Sequence, residues 1–399
     1  MRVVVSGGGT AGHILPTLAT SDALKSLAKD TELLYIGQAG SMEAKIVGAA
    51  RLPFAAISAG KFRRNHFAGP LAKIFNLSTL GPNARDSLRT LQGVAQSLRI
   101  LRRFRPDAVF LKGGFVCLPV GIAARLLNIP FVIHESDVTP GLTNRLLARW
   151  AAKIAVGFPE KNYPGFLPSK LVYVGNPIRP DILKAHRLEG LAHFELSDGV
   201  PVVLITGGSQ GAAQINTAVL GALEQLLAKY QVIHQTGEGE IAGVEFELSR
   251  RKDLKHAERY HPVGFLTRDM GLALAAADIV VGRAGVNTIN DSAALGKPTI
   301  LIPNHQMAGH QVENAKVLSR LGAVRVLDGA RLTPAALVRE LEVVLGNEQE
   351  MERLSAGIRQ FSRPEAAKEL AKLILEQAEA YHVSKQKPNK DTIDPEAQE

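Results

Sequence analysis

The chain opens on VVVSGGGTAGHILP, Val3 to Pro16. The valines and Ser6 read as a buried strand, the glycines as a loop, and the residues beyond as a helix. Gly7, Gly9 and Gly12 satisfy the G-x-G-x-x-G spacing of a dinucleotide fold. Glycines lack a Cβ, so backbone N–H groups can come close to a ligand. The positive end of the helix then favours an anion such as a phosphate or diphosphate. The alternative is that Gly7 to Gly12 only lets helix and strand pack closely. A nicotinamide site also needs an acidic residue at the end of the second strand, to hold ribose hydroxyls. That strand, ELLYIG (32–37), ends in Gly37–Gln38. Glu43 lies farther on and would have to reach back, so the dinucleotide reading lacks its partner.

The pattern continues outward from this stretch. RVVVS (2–6), ELLYIG (32–37), AVFLKG (108–113), FVIHE (131–135) and KIAVGF (153–158) are strand candidates separated by helix-period segments. Such alternation gives a parallel sheet with helices on both faces. The scheme restarts at VPVVLIT (200–206), which runs into a second glycine loop, GGSQGA, and a helix. YQVIHQT, HPVGF, DIVVG and PTILIP supply further strands. The fold class is therefore α/β, with two doubly wound, Rossmann-like parallel-sheet domains facing a cleft. YVGNPIRPDIL (173–183), with two prolines, reads as the linker.

A length of 399 residues suits two such domains, and 46% apolar content supports their cores. The net charge of +9 suits nucleic acid, an anionic membrane or an anionic small substrate. Only 5% of residues are aromatic, too few for the stacking surfaces of single-strand binders, so no nucleic-acid partner is expected. The single cysteine, Cys117, excludes an intrachain disulfide and reads as a core filler. No window reaches the apolar length of a membrane span, and the N-terminus lacks a secretory pattern, so a cytoplasmic protein is expected.

A third strand–glycine–helix unit lies in DIVVGRAGVNTINDSAALGKPTILIP (278–303). Its loop carries Arg283, Asn287, Thr288 and Asp291. Asp291 falls one turn into the helix, where a carboxylate could accept ribose hydroxyl protons. The alternative is a capping box, with Thr288 as cap. Beyond it, NHQMAGHQVENA (304–315) gathers His305, Gln306, His310, Gln311 and Asn314 beside a strand end, the edge where doubly wound sheets bind ligands.

GGGTAGHILPTLA, HESDVTPGLTNRLLAR, GNPIR, GGSQGA and RAGVNTINDSAALGKPTILIPNHQMAGHQVENA, in this order, resemble the motifs of the MurG family, N-acetylglucosaminyltransferases of peptidoglycan synthesis with the glycosyltransferase-B fold. The resemblance covers roughly 1–375. It implies transfer of N-acetylglucosamine from UDP-GlcNAc to the C4 hydroxyl of lipid I, with inversion, giving lipid II. It implies no cofactor: there is no Asp-x-Asp, and helix ends, glycine loops and Arg179 would take up the leaving charge. Carried over by position, Arg179 and Ser209 would face the UDP phosphates. Val286, Asn287, Thr288, Asp291 and Gln311 would hold nucleoside and sugar, and Leu266 would line the uracil pocket. Thr10, Ala11 and Gly12 would sit near donor sugar and acceptor diphosphate. His13, where the loop enters its helix, is the candidate base, with an ordinary pKa near 6.5. The alternative is a histidine bonded to the second domain or to a phosphate.

The chain departs from the family at three positions. Ala11 stands where glycine is usual, Asp137 where many relatives have asparagine, and Asp291 where glutamate is common. His134, Glu135 and Asp137 could be mistaken for metal ligands, but no metal site is expected. The implied organisation is an N-terminal acceptor- and membrane-facing domain (1–177) joined by a crossing helix (364–382), a UDP-sugar domain (178–362), and a polar, disordered tail (383–399). One basic, partly apolar segment fits neither core nor linker. In it Lys61, Arg63, Arg64 and Lys73 alternate with Phe62, Phe67, Leu71, Ile74 and Phe75. It reads as a reversible attachment to the anionic inner face of the cell membrane, and alternatively as an ordinary basic loop. Rival functions are a diacylglycerol hexosyltransferase, a UDP-GlcNAc epimerase and a non-enzymatic scaffold of the same fold.

Overall fold

The computed structural model describes residues 1–61, 77–208, 211–266, 269–305 and 309–386. The first sheet comprises β1 (Arg2–Ser6), β2 (Glu32–Gln38), β3 (Phe54–Ile57), β4 (Ala108–Leu111), β5 (Phe131–Glu135), β6 (Lys153–Val156) and β7 (Leu171–Tyr173). These are parallel, in the order β3-β2-β1-β4-β5-β6-β7. The second sheet comprises β8 (Val202–Thr206), β9 (Gln231–Gln235), β10 (Tyr260–Val263), β11 (Ile279–Gly282), β12 (Thr299–Leu301) and β13 (Arg325–Val326), also parallel, in the order β10-β9-β8-β11-β12-β13.

Helices cover both faces, so the strands read as continuous apolar runs. Val4 points into one core cluster while Val3 and Val5 point into another, as the two-residue period requires. In each half the winding reverses beside the first strand: β1 lies between β2 and β4, and β8 between β9 and β11. The crevice past the carboxyl ends at such a reversal is where doubly wound sheets take ligands. Both halves therefore place a glycine loop at this point.

Two crossings join the domains. The outgoing one follows β7, and the incoming one leads into the helix Ala366–Gln386. They lie together: Arg363 stacks 4.5 Å over the Tyr173 ring, and Phe361 meets Phe158 at 6.2 Å. The helix buries Leu370, Ala371, Ile374 and Ala378 against Val3, Val5, Ile14 and Leu24 of the first domain. Residues 383–386, expected in the tail, continue this helix, where Ser384 Oγ bonds the Tyr381 carbonyl and Lys385 covers the Tyr381 ring. The rest of the expected tail lies outside the described residues.

Candidate active site

Two loops cross at the carboxyl edge of the first sheet. The Gly8 N–H donates to the Gly113 carbonyl at 3.4 Å. Gly114 has φ +85, and a Cβ there would sit 2.1 Å from the Gly8 carbonyl oxygen. At Gly7 a Cβ would lie 2.6 Å from Thr17 Oγ1, so this glycine serves close helix packing. Gly12 differs: its nearest neighbours to a Cβ would be Thr10 Oγ1 at 3.6 Å and Asn287 Nδ2, from the other domain, at 3.7 Å. Glu43 does reach back, and its Oε1 accepts the Gln38 N–H at 3.3 Å. At 1% exposure it has no surface to offer a ribose.

Behind the crossing lies a buried group of ionisable side chains. Lys112 immediately follows β4, is 1% exposed, and donates to Ser136 Oγ. Burial lowers its pKa to about 8, against the opposing pull of the Glu135 and Asp137 carboxylates. His13 sits in the first turn of the helix Ala11–Leu27 and keeps slight exposure, but its Nδ1 is sealed without a hydrogen-bond partner. Burial, and next the Lys112 ammonium, lower its pKa to about 3. A ring titrating near 6.5 is therefore not what the fold provides. His134 Nε2 donates to the Gly175 carbonyl at 2.8 Å, and burial holds this ring neutral as well. Glu135 accepts the N–H groups of Asp137 and Gly141 and the Asn144 amide, at 3.1, 2.8 and 2.9 Å, so it builds its own turn. Burial first, then Asp137, raise its pKa. Among the described residues no His/Cys/Asp/Glu cluster has the makings of a metal site. Cys117 is buried, with a thiol pushed up to about 11, as suits core packing.

The second domain brings its own helix start to the gap. The helix Val286–Leu295 starts from Gly285 in extended backbone and has no side-chain cap, so its first N–H groups are left facing the gap without a side-chain acceptor of its own. Thr288 thus lies inside the first turn and the capping box does not form. Asp291 stands one turn in, beside Arg179 and Asp181; burial raises its pKa to about 7, with Arg179 opposing. Arg179 immediately precedes the short helix Pro180–Leu183 and lies 3.6 Å from Asp181. Asn290 Nδ2 donates to the Asn176 carbonyl at 3.1 Å, tying this helix to the linker. Gln311 Oε1 accepts the Asn304 N–H at 3.0 Å. The Leu266 N–H donates to Gln235 Oε1 at 3.3 Å, and the residue is 5% exposed. His305 is turned to Asp328 at 2.9 Å. Asp137 Oδ1 accepts the Asn314 amide across the domain boundary at 2.7 Å.

The structure thus brings together Thr10, Gly12, His13 and Asn287, with Asp291 and Arg179 forming a second group. Ser209, Phe62, Arg63, Arg64, Phe67, Leu71, Lys73, Ile74 and Phe75 lie outside the described residues, and Lys61, at their border, is exposed. Lys112 escaped the sequence reading, although it had a signal as the single charge in the apolar run AVFLKGGFV. Asn314 was legible only as one member of a polar group.

Doubly wound domains with glycine loops aimed at a shared gap, and a last helix returning to the first domain, define a glycosyltransferase of the B type. Residues 3–156 match the N-terminal domain of glycosyltransferase family 28, and residues 202–372 its C-terminal domain. A Bacillus pumilus UDP-N-acetylglucosamine–N-acetylmuramyl-(pentapeptide) pyrophosphoryl-undecaprenol N-acetylglucosamine transferase is 39% identical over 378 residues, 94% of this chain and 99% of its own. The transferase of the same name from Listeria welshimeri is 36% identical over 377 residues, again 94% and 99%. The crystal structure of Acinetobacter baumannii MurG aligns with a TM-score of 0.71 at 27% identity, over 94% of this chain and 99% of that one. The chain belongs to glycosyltransferase family 28, within its MurG group.

Proposed function

We propose that the protein transfers N-acetylglucosamine from UDP-GlcNAc to the C4 hydroxyl of the MurNAc of lipid I, inverting the anomeric carbon and releasing UDP. The observation that carries this reading is the meeting of two helix starts from different domains, with the Asn287 amide 3.7 Å from where a Gly12 Cβ would be. Two positive helix ends at one gap suit a diphosphate. Each contributes about 0.3–1 kcal/mol when exposed, and up to about 2 when partly buried. Arg179 and Ser209 add to this at the UDP phosphates, where charge grows as the C1–O bond breaks. Val286, Asn287, Thr288, Asp291 and Gln311 hold nucleoside and sugar, Leu266 lines the uracil, and Thr10, Ala11 and Gly12 face donor sugar and acceptor diphosphate.

His13 takes the C4 proton. Its neutral ring is the form that can accept one, and an arriving diphosphate offsets the Lys112 field and raises its basicity. Asp137, with Oδ1 engaged by Asn314, reaches substrate through its other oxygen. A reversible seat on the anionic inner leaflet serves the lipid-linked acceptor. Beside the basic segment 61–75, the helix Leu77–Phe104 supports this seat by exposing Arg85, Leu88, Arg89 and Leu91. No helix among the described residues is long and apolar enough to cross a membrane.

The test is incubation with UDP-GlcNAc and a lipid I analogue, scoring UDP release. Release that depends on the analogue is expected. Donor consumption without acceptor would point to an epimerase, and transfer only to diacylglycerol would point to a glycolipid synthase.

A further inference from the structure

Asn314 lies on the helix His310–Arg320 of the second domain and is fully buried. Its amide makes bonds on both sides of the domain boundary. Oδ1 accepts the Val138 N–H at 3.0 Å, while Nδ2 donates to Asp137 Oδ1 at 2.7 Å and to the Ala284 carbonyl at 3.2 Å. Asp137 and Val138 belong to the turn after β5, which Glu135 organises from within the first domain. Ala284 belongs to the glycine turn after β11, just ahead of the helix that begins at Val286. One side chain therefore joins the turn on the acceptor side to the turn on the donor side.

Only a primary amide meets these demands. It must accept from a backbone N–H and donate to both a carboxylate and a carbonyl. A carboxylate at position 314 would face Asp137 with like charge. An apolar residue would leave buried polar groups unpaired.

We propose that Asn314 is a positioning residue, clasped to Asp137, that fixes how far the His13 loop stands from the donor-binding helix start. The inference rests on the transfer reading, in which acceptor and donor occupy opposite domains. Such a clasp acts on the step that needs both domains in register, where a displacement of about 1 Å can cost about 100-fold. Binding of UDP, held by the second domain, does not need the clasp.

The test compares Asn314→Asp, Asn314→Ala and the exchanged pair Asp137→Asn/Asn314→Asp with the unaltered chain. The readouts are kcat with UDP-GlcNAc and the lipid I analogue, UDP affinity by calorimetry, melting temperature, and radius of gyration by X-ray scattering. Asn314→Asp is expected to lower kcat about 100-fold, with UDP affinity within about threefold, and to enlarge the radius of gyration. The exchanged pair restores an amide–carboxylate contact with donor and acceptor reversed. It should regain about tenfold of the loss, the Ala284 carbonyl staying unpaired. If Asn314→Asp fails to fold, Asn314→Ala is read in its place, with a loss in kcat and the same enlargement expected. Unchanged kcat and radius in the single variants would overturn the clasp, as would an exchanged pair that folds normally but keeps the enlarged radius of Asn314→Asp, a readout that the substrate contact of Asp137 does not move. If the unaltered chain shows no transfer, the functional reading fails instead, and the scattering comparison still decides whether Asn314 holds the domains together.

Discussion

A neutral imidazole at position 13 follows from its surroundings, since burial and the Lys112 ammonium both disfavour the charged ring. The acid limb of kcat/KM in the free enzyme should therefore show no group near pH 6.5 attributable to His13. His13→Ala should lower kcat by about 10²–10⁴ while leaving UDP affinity nearly unchanged. Lys112→Met removes one of the two causes, so the His13 ring should titrate higher than in the unaltered chain, followed by NMR. Burial, the larger cause, persists and keeps it below 6.5. Asp291 shows the opposite displacement, held up at about 7. Its folded pKa exceeds the unfolded one, so ionising it costs stability that accumulates between about pH 4 and 7. A sealed group would lose about 4 kcal/mol by that shift; the partial exposure of Asp291 screens this to about 1–2. Asp291→Asn should thus be the more stable protein at pH 8 and nearly level at pH 4, by chemical denaturation. The same variant should bind UDP-GlcNAc more weakly at pH 8, having lost a hydroxyl acceptor.

At the level of loops and strands, the glycines divide by what stands next to them. Gly114 combines φ +85 with a carbonyl 2.1 Å from any Cβ, so Gly114→Ala should uncross the two loops and cost about 2–4 kcal/mol. Gly12 offers ordinary clearance, 3.6 Å and more, so Gly12→Ala should fold within about 0.5 kcal/mol of the parent. It should nevertheless lose activity, because the added methyl enters the gap proposed for substrate. Denaturation and turnover measured together separate the two cases. The central strands were legible because both faces are covered and their runs are long and apolar. β3, β7 and β13 were not, since edge strands of four, three and two residues carry too little pattern. The capping box at Thr288 failed for a related reason: Gly285 in extended backbone starts the helix earlier, so a favourable spacing never met the position it needed.

Across the whole molecule, the twofold recurrence of strand, glycine loop and helix made the two domains readable in one dimension. Contacts between them were not readable: Asp137 and Asn314 stand 177 residues apart and meet only once both sheets are built. The proposed membrane seat belongs to this scale, because it would carry the whole cleft to a lipid-linked acceptor. Arg85 and Arg89, one turn apart, and Leu88 and Leu91 beside them are all exposed on one helix, and Lys61 opens the basic segment before it. Near an anionic leaflet each basic residue contributes about 1 kcal/mol, and the leucines add apolar contact once the surface is reached. Attraction of this kind is screened within about 10 Å at 0.1 M salt. Cosedimentation with phosphatidylglycerol-containing vesicles should therefore fall steeply as salt rises, and be slight with zwitterionic vesicles at any salt. Leu88→Glu/Leu91→Glu should weaken it further at low salt while leaving UDP affinity intact, because the helix lies in the other domain from the proposed nucleotide site. Vesicle binding indifferent to both salt and these substitutions would remove the seat from this face of the protein, leaving the cleft chemistry untouched.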